Sequence, residues 1–405
     1  MSVEDDERGS ADEAFGDVGG DEPLGDVGGD EPLLALEDLQ VEFENETALM
    51  EVLPQGIKER FGWEANPLRA VNGVDLEIEE NDIVAIVGES GSGKTTLGKT
   101  AIGLQKPSAG NVKYRGHDIW ELREQTQIDG LQFEEARRKL QIVHQDPGAA
   151  LNPYRKIMTS LKQPLHRWYP ELSHADYRER IFGLFRECGL TPVEEYADRY
   201  PHELSGGEQQ RVVLIRSMLV EPDLILADEP VSALDPSLGI ALLDLMLELQ
   251  EIFETSYLFI THNLEHARYI TSQADGKIAI MYLGEIVEYG PAEEVLQNPK
   301  HPYTKILKWA TLPKHPEEAR EKLQAEPPLR TFESPDVGNP PSGCRFHTRC
   351  PKAREVCAER TPEFFDVEGS DGKRQAACYL EADGTHDYWQ SEFLDEAGEI
   401  EIPGE

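Results

Sequence analysis

Nine consecutive residues, Gly88-Glu89-Ser90-Gly91-Ser92-Gly93-Lys94-Thr95-Thr96, have the spacing in which a glycine-rich turn, a lysine and a hydroxyl together grip phosphate. They follow Ile83-Val84-Ala85-Ile86-Val87, an apolar run too short for a helix and suited to a strand covered on both faces. The glycines let successive N–H groups converge on phosphate oxygens, and a helix opening near Lys94 would add the positive end of its dipole. Lys94 is expected to neutralise the β- and γ-phosphates, and Thr95 to hold Mg²⁺ through its hydroxyl. The chemistry implied is the binding of a nucleoside triphosphate such as ATP.

A second group of reactive side chains follows two further apolar runs. Asp228 and Glu229 succeed Leu224-Ile225-Leu226-Ala227, and His262 succeeds Tyr257-Leu258-Phe259-Ile260-Thr261. Adjacent residues point different ways along a strand, so two neighbouring carboxylates can take two tasks. Asp228 would hold Mg²⁺ through water, and Glu229 would orient or deprotonate the attacking water. His262 could donate to the γ-phosphate; the plainer reading is a structural histidine.

These groups need a scaffold, and the pattern around them supplies one. Leu39, Val41 and Phe43, and later Val74, Leu76 and Ile78, alternate with polar residues as half-exposed, antiparallel strands do. A helix-rich insert is expected from about Pro147 to Ser205. Pro236–Glu251 carries apolar residues at helical spacing and reads as core. Strands alternating with helices predict an α/β fold with a parallel core, in which sites gather at the carboxyl ends of the strands.

Between the phosphate loop and Asp228-Glu229-Pro230 lies Leu204-Ser205-Gly206-Gly207-Glu208-Gln209-Gln210-Arg211, which resembles the signature sequence of ATP-binding cassette (ABC) proteins. With Gln145, Ser232-Ala233-Leu234-Asp235 and His262 in the family's order, the resemblance spans roughly residues 34–295. It implies a P-loop NTPase with antiparallel β and helical subdomains. It further implies a head-to-tail dimer, a homodimer or a pairing with a related ATPase, in which Ser205 and Gly207, with Gly206 beside them, reach the partner's γ-phosphate. Gln145 would sense Mg²⁺ and contact coupling helices of membrane subunits, and Asp235 would link the two sites. Trp63 and Phe61 are the candidates for stacking on adenine. The segments Gln145-Asp146-Pro147, Leu151-Asn152-Pro153, Tyr200-Pro201-His202-Glu203-Leu204 and His301-Pro302-Tyr303-Thr304 resemble the ATPases of oligopeptide and dipeptide importers, some relatives of which import nickel. The implied partners are transmembrane permeases and, indirectly, an extracellular solute-binding protein, which puts the chain on the cytoplasmic face of the membrane.

Cys188 reads as a small core residue. Cys344, Cys350, Cys357 and Cys378 cluster later in the chain, with five, six and twenty residues between them. Four thiolates can bind a [4Fe–4S] cluster, and the arrangement resembles the C-terminal region of peptide-importer ATPases, some of which carry one. Zinc, for which close Cys-x-x-Cys pairs are typical, and unligated thiols or disulfides are the alternatives. The expected divisions are an acidic tail over 1–33, the cassette over 34–295, a Cys-containing extension over 296–380 and a second acidic tail over 381–405.

The net charge of −39 is not confined to the tails. Residues 1–31 carry −11 and residues 381–405 carry −9, leaving −19 on the body. Such self-repulsion is best tolerated at high salt, so a halophilic setting is expected, with an ordinary acidic cytosolic protein as the alternative. The acidity argues against nucleic acid as a partner. Gly16–Leu24 is repeated as Gly25–Leu33, a Gly- and Asp-rich pair without an apolar face, which reads as disordered tail. No apolar run approaches a membrane span, and no secretion signal opens the chain. Two rival functions are a soluble cassette ATPase acting on DNA or ribosomes and a non-hydrolysing regulatory module.

Overall fold

A computed structural model describes residues 31–44, 67–311, 317, 320, 328–331, 333, 335–370 and 372–394. The expected strand Ile83–Val87 lies at the centre of an eight-stranded sheet. On one side it pairs in parallel with Ser256–Thr261, followed by Leu224–Asp228 and Leu140–Val143. On the other it pairs in parallel with Lys277–Tyr282, which turns back as the antiparallel strand Glu285–Pro291. Phe365–Asp366 and Gln375–Ala376 close that edge, so residues late in the chain contribute strands to the central sheet.

The five-residue strand is buried throughout, and its alternation divides the core in two. Val84 and Ile86 face one apolar cluster, which they share with Leu97 and with Leu39, Val41, Val74, Leu76 and Ile78 of the antiparallel strands. Ile83, Ala85 and Val87 face a second cluster built with the helices, including Leu243, Met246 and Leu249 of Pro236–Phe253. The same division along Leu224–Asp228 and Ser256–Thr261 fixes the register of the parallel strands, because a one-residue slip would exchange the two faces.

The antiparallel strands form a separate four-stranded sheet of Leu68–Ile78, Leu34–Phe43, Ala109–Tyr114 and His117–Asp118. Its first pairing shifts register between Val41 and Glu42. Strict alternation would bury Phe43 with Leu39 and Val41; as the last residue of its strand it is instead 40% exposed. The helical insert is as expected, with helices Pro147–Ala150, Ile157–Trp168, His174–Glu187 and Val193–Asp198. Trp63, Phe61 and residues 1–30 lie outside the described residues, but Leu33, which ends the second repeat, is buried in the core, and of the expected tail over 381–405 the described part, 381–394, buries Tyr388 and Leu394. Among the described residues no helix is long and apolar enough to cross a membrane.

Candidate functional site

Register across the parallel strands brings the reactive residues to one edge. Thr261 pairs with Val87 and Ile260 with Asp228, so the segments that begin at Gly88, Glu229 and His262 all open there. The phosphate loop fits because of its glycines. A Cβ on Gly88 would sit 2.1 Å from the carbonyl oxygen of Met281, and one on Gly93 (φ 101°) would sit 2.0 Å from that of Ala70.

Lys94 opens the helix Lys94–Ala101 and donates to the carbonyl oxygens of Gly88 (2.8 Å) and Glu89 (2.9 Å), closing the loop into a ring. Burial draws its pKa below that of an ordinary lysine, against the pull of Glu229, Asp228 and Glu89. Thr95 Oγ1 donates to Asp228 Oδ1 at 3.0 Å, and burial holds the Asp228 carboxyl above its usual range, with that hydrogen bond opposing. A hydroxyl and a carboxylate from two elements form the hard-oxygen donor set that suits Mg²⁺. Ser92 Oγ is buried in the same loop without a hydrogen-bond partner among the described residues, an acceptor and donor available to a phosphate or its metal.

Glu229 sits at φ 50°, a left-handed conformation uncommon for a residue with a side chain. The strain is held in place: its N–H donates to Ile260 O (2.9 Å), and its carbonyl accepts from Ser232 Oγ (2.9 Å). The resulting side chain meets His262, whose Nδ1 lies 3.0 Å from Glu229 Oε1. An ionised carboxylate can only accept, so this pairing has Nδ1 protonated and donating.

A cavity of about 400 Å³ joins these parts, lined by Ser90, Gly91, Gly93, Lys94, Thr95, Thr96 and Glu229. Phe43, Leu68 and Val337 form an apolar wall. Phe43 escaped the sequence reading because alternation assigned it to the core; its aromatic type at the end of an alternating run was the available signal.

The other expected site residues lie elsewhere in the single chain. Ser205 caps the helix Gly206–Met218, its Oγ accepting from the Glu208 N–H (3.3 Å) while Glu208 accepts from the Ser205 N–H (2.7 Å). Ser205 and Gly206 are exposed and Gly207 half-buried, and none of the three lines the cavity. Asp235 caps the helix Pro236–Phe253 by accepting from the Ser237 and Leu238 N–H groups, both at 3.2 Å. Gln145 is exposed just past Leu140–Val143, whose Val143 pairs with Ala227, which puts it near Asp228 along the strand-end edge but outside the cavity wall.

Cys344, Cys350, Cys357 and Cys378 line one small cavity of about 20 Å³ with Phe346, Tyr379 and Tyr388. All are free thiols, and burial raises their pKa values, that of Cys350 to about 12. Among the described residues no group of three or more His, Cys, Asp or Glu side chains has the arrangement to hold a metal ion, so the expected cluster has no such group behind it.

Comparison with known proteins agrees with this architecture. A family model described as ABC transporter matches residues 71–232, and one described as oligopeptide/dipeptide transporter, C-terminal region, matches residues 287–357. The di/tripeptide transport ATP-binding protein DppF of Pseudomonas aeruginosa is 39% identical over 312 residues, 77% of this chain and 90% of that protein. The oligopeptide transport ATP-binding protein OppF of Salmonella typhimurium is 38% identical over 355 residues, 87% of this chain and 96% of its own length. Among solved structures, cbiO1 from Clostridium perfringens superposes with a TM-score of 0.52 at 22% identity, covering 66% of this chain and 92% of that one, and shares the fold. The ATP-binding cassette MJ0796, a dimer in a post-hydrolysis state bound to ADP and Pi, gives 0.50 at 26% identity, covering 64% and 98%.

Proposed function

The chain belongs to the ABC transporter ATPases, and from that membership we propose that it is the ATP-hydrolysing subunit of a peptide importer, driving uptake through separate membrane permeases. The observation that carries the reading is the meeting of Lys94, Asp228, Glu229 and His262 at one strand edge around a phosphate-sized loop. The names of the relatives support dipeptides or oligopeptides as the solute.

The loop N–H groups and Lys94 bind and orient the β- and γ-phosphates, and Phe43 offers its exposed ring to the base. Thr95 and Asp228 would hold Mg²⁺, with Gln145 at the adjoining strand end; the ion neutralises charge on the phosphate oxygens. Glu229 takes the proton of the attacking water, and His262, fixed through Nδ1, keeps Nε2 for the γ-phosphate. Because Ser205, Gly206 and Gly207 stand apart from their own cavity, they serve a second cassette, with Asp235 near that boundary. Residues 34–295 then act as the cassette and 296–380 as its extension.

For a [4Fe–4S] cluster the support is that the four cysteines line one cavity and carry its sulfur donors; their raised pKa values by themselves favour neutral thiols. Iron and sulfide analysis of anaerobically purified protein tests this, and a colourless, iron-free protein ends it. The high-salt setting rests on net charge alone, and a fold indifferent to low salt contradicts it. For the main reading, the chain is reconstituted with its permeases in vesicles. Peptide-stimulated ATP hydrolysis is the expected result; turnover without any membrane partner engaged, or none with peptide present, contradicts it.

A further inference from the structure

The segment between Cys344 and Cys350 reaches the phosphate loop by two routes. Arg349 NH1 lies 3.2 Å from Glu89 Oε1 and 3.4 Å from Oε2, and donates to Tyr282 Oη at 3.4 Å. The main chain of the same glutamate is held as well, its N–H donating to Tyr303 Oη at 3.0 Å. The second route runs through Arg345, whose Nε lies 2.8 Å from Glu285 Oε1 and whose guanidinium also donates to the Leu283 carbonyl. It fastens the turn that contains Gly284, whose N–H donates to Ser92 O at 2.8 Å. Phe346 sets the separation between the two arginines. It is buried against Tyr282 and Tyr303, with ring centroids 5.2 and 5.5 Å away.

Residues 89 and 92 span the turn of the phosphate loop, so both ends of that turn are tied to one five-residue stretch about 250 residues further along the chain. The electrostatics point the same way. Glu89 is within electrostatic reach of Lys94; its side chain is 41% exposed, and the next residue, Ser90, lines the cavity where anionic phosphates would bind. A carboxylate in that position repels the ligand unless a cation neutralises it. Arg349, its side chain only 10% exposed, is that cation.

We propose that Arg349 is a positioning residue for the phosphate loop, neutralising and fixing Glu89 so that the extension sets the nucleotide affinity of its own cassette. This rests on the ATP-site reading above. NH1 alone approaches both carboxylate oxygens, so a single ammonium can take its place, and lysine is the conservative substitute.

The test uses the full chain with its membrane partners. ATP affinity is measured by calorimetry, and KM and kcat by steady-state turnover. Arg349→Ala is expected to raise Kd and KM for ATP about tenfold, with a much smaller change in kcat, while Arg349→Lys stays near the parent. Adding Glu89→Gln to Arg349→Ala removes the unpaired carboxylate and is expected to recover most of the lost affinity, which a purely structural role for Arg349 would not do. If Arg349→Ala does not fold, Arg349→Gln replaces it in both comparisons. Parent-like ATP affinity in the arginine variant, or a further loss on adding Glu89→Gln, overturns the proposal. Lys94→Ala is measured in parallel; undiminished ATP binding there would instead overturn the ATP-site reading itself.

Discussion

The two ends of the parallel strands use the same kinds of residue to opposite effect. At the amino end Asp223, just before Leu224–Asp228, is fully engaged. Its Oδ2 accepts from Tyr114 Oη (2.6 Å) and Arg115 NH2 (2.9 Å), and its Oδ1 pairs with Lys139 Nζ (3.0 Å). Burial would raise its pKa, but Lys139, Tyr114 and Arg115 outweigh that and hold it below the usual carboxylate value. At the carboxyl end, five residues later, Asp228 is pushed up, Glu229 sits in a strained conformation, and Ser92 Oγ has no partner among the described residues. One end satisfies its charges and stabilises the sheet; the other leaves donors, acceptors and strain available for a ligand.

That contrast can be broken from either side. Replacing Lys94 by Ala should weaken ATP binding by about a hundredfold while leaving the melting temperature near that of the parent, as read by calorimetry and thermal unfolding. Replacing Asp223 by Ala should do the reverse. It leaves Arg115 with Glu80 and Lys139 with the Glu221 carbonyl as remaining partners and is expected to cost about 2 kcal/mol of stability, measured by denaturant titration, with ATP affinity retained below the melting range. A loss of ATP affinity in the Asp223 variant equal to that of Lys94→Ala would erase the distinction.

Acid sharpens it further. The Asp223 carboxyl titrates lower in the folded than in the unfolded chain, so its contribution is complete above about pH 4 and is lost as pH falls through the folded value. The Asp223→Asn variant should therefore lose less stability than the parent as pH falls below about 4. A smaller effect is expected at the apolar wall. Phe43→Ala should weaken ATP by about fivefold, roughly 1 kcal/mol, and Phe43→Tyr should not.

Most of this site was legible in the sequence because its parts are local. The phosphate loop, Asp228-Glu229 and His262 each follow a short apolar strand, and parallel register alone brings strand ends together. Phe43 was not legible, because alternation places it on the face of Leu39 and Val41, whereas as the last residue of its strand it runs past the core to the cavity wall. Gln375–Ala376 was missed for a different reason: a two-residue strand has no period to detect, and its pairing with Glu285–Pro291 is set by tertiary packing, including the buried Arg374–Glu288 ion pair at 2.7 Å. The ties from Arg345 and Arg349 likewise join residues too far apart in the chain for any spacing rule to connect.

Glu229 is the group on which water activation depends. ATP binding and ATP turnover by the Glu229→Gln variant, measured side by side in the assembled transporter, test it most directly. Retained binding with turnover reduced by at least about a hundredfold is the predicted result. Turnover at the parent rate would contradict it.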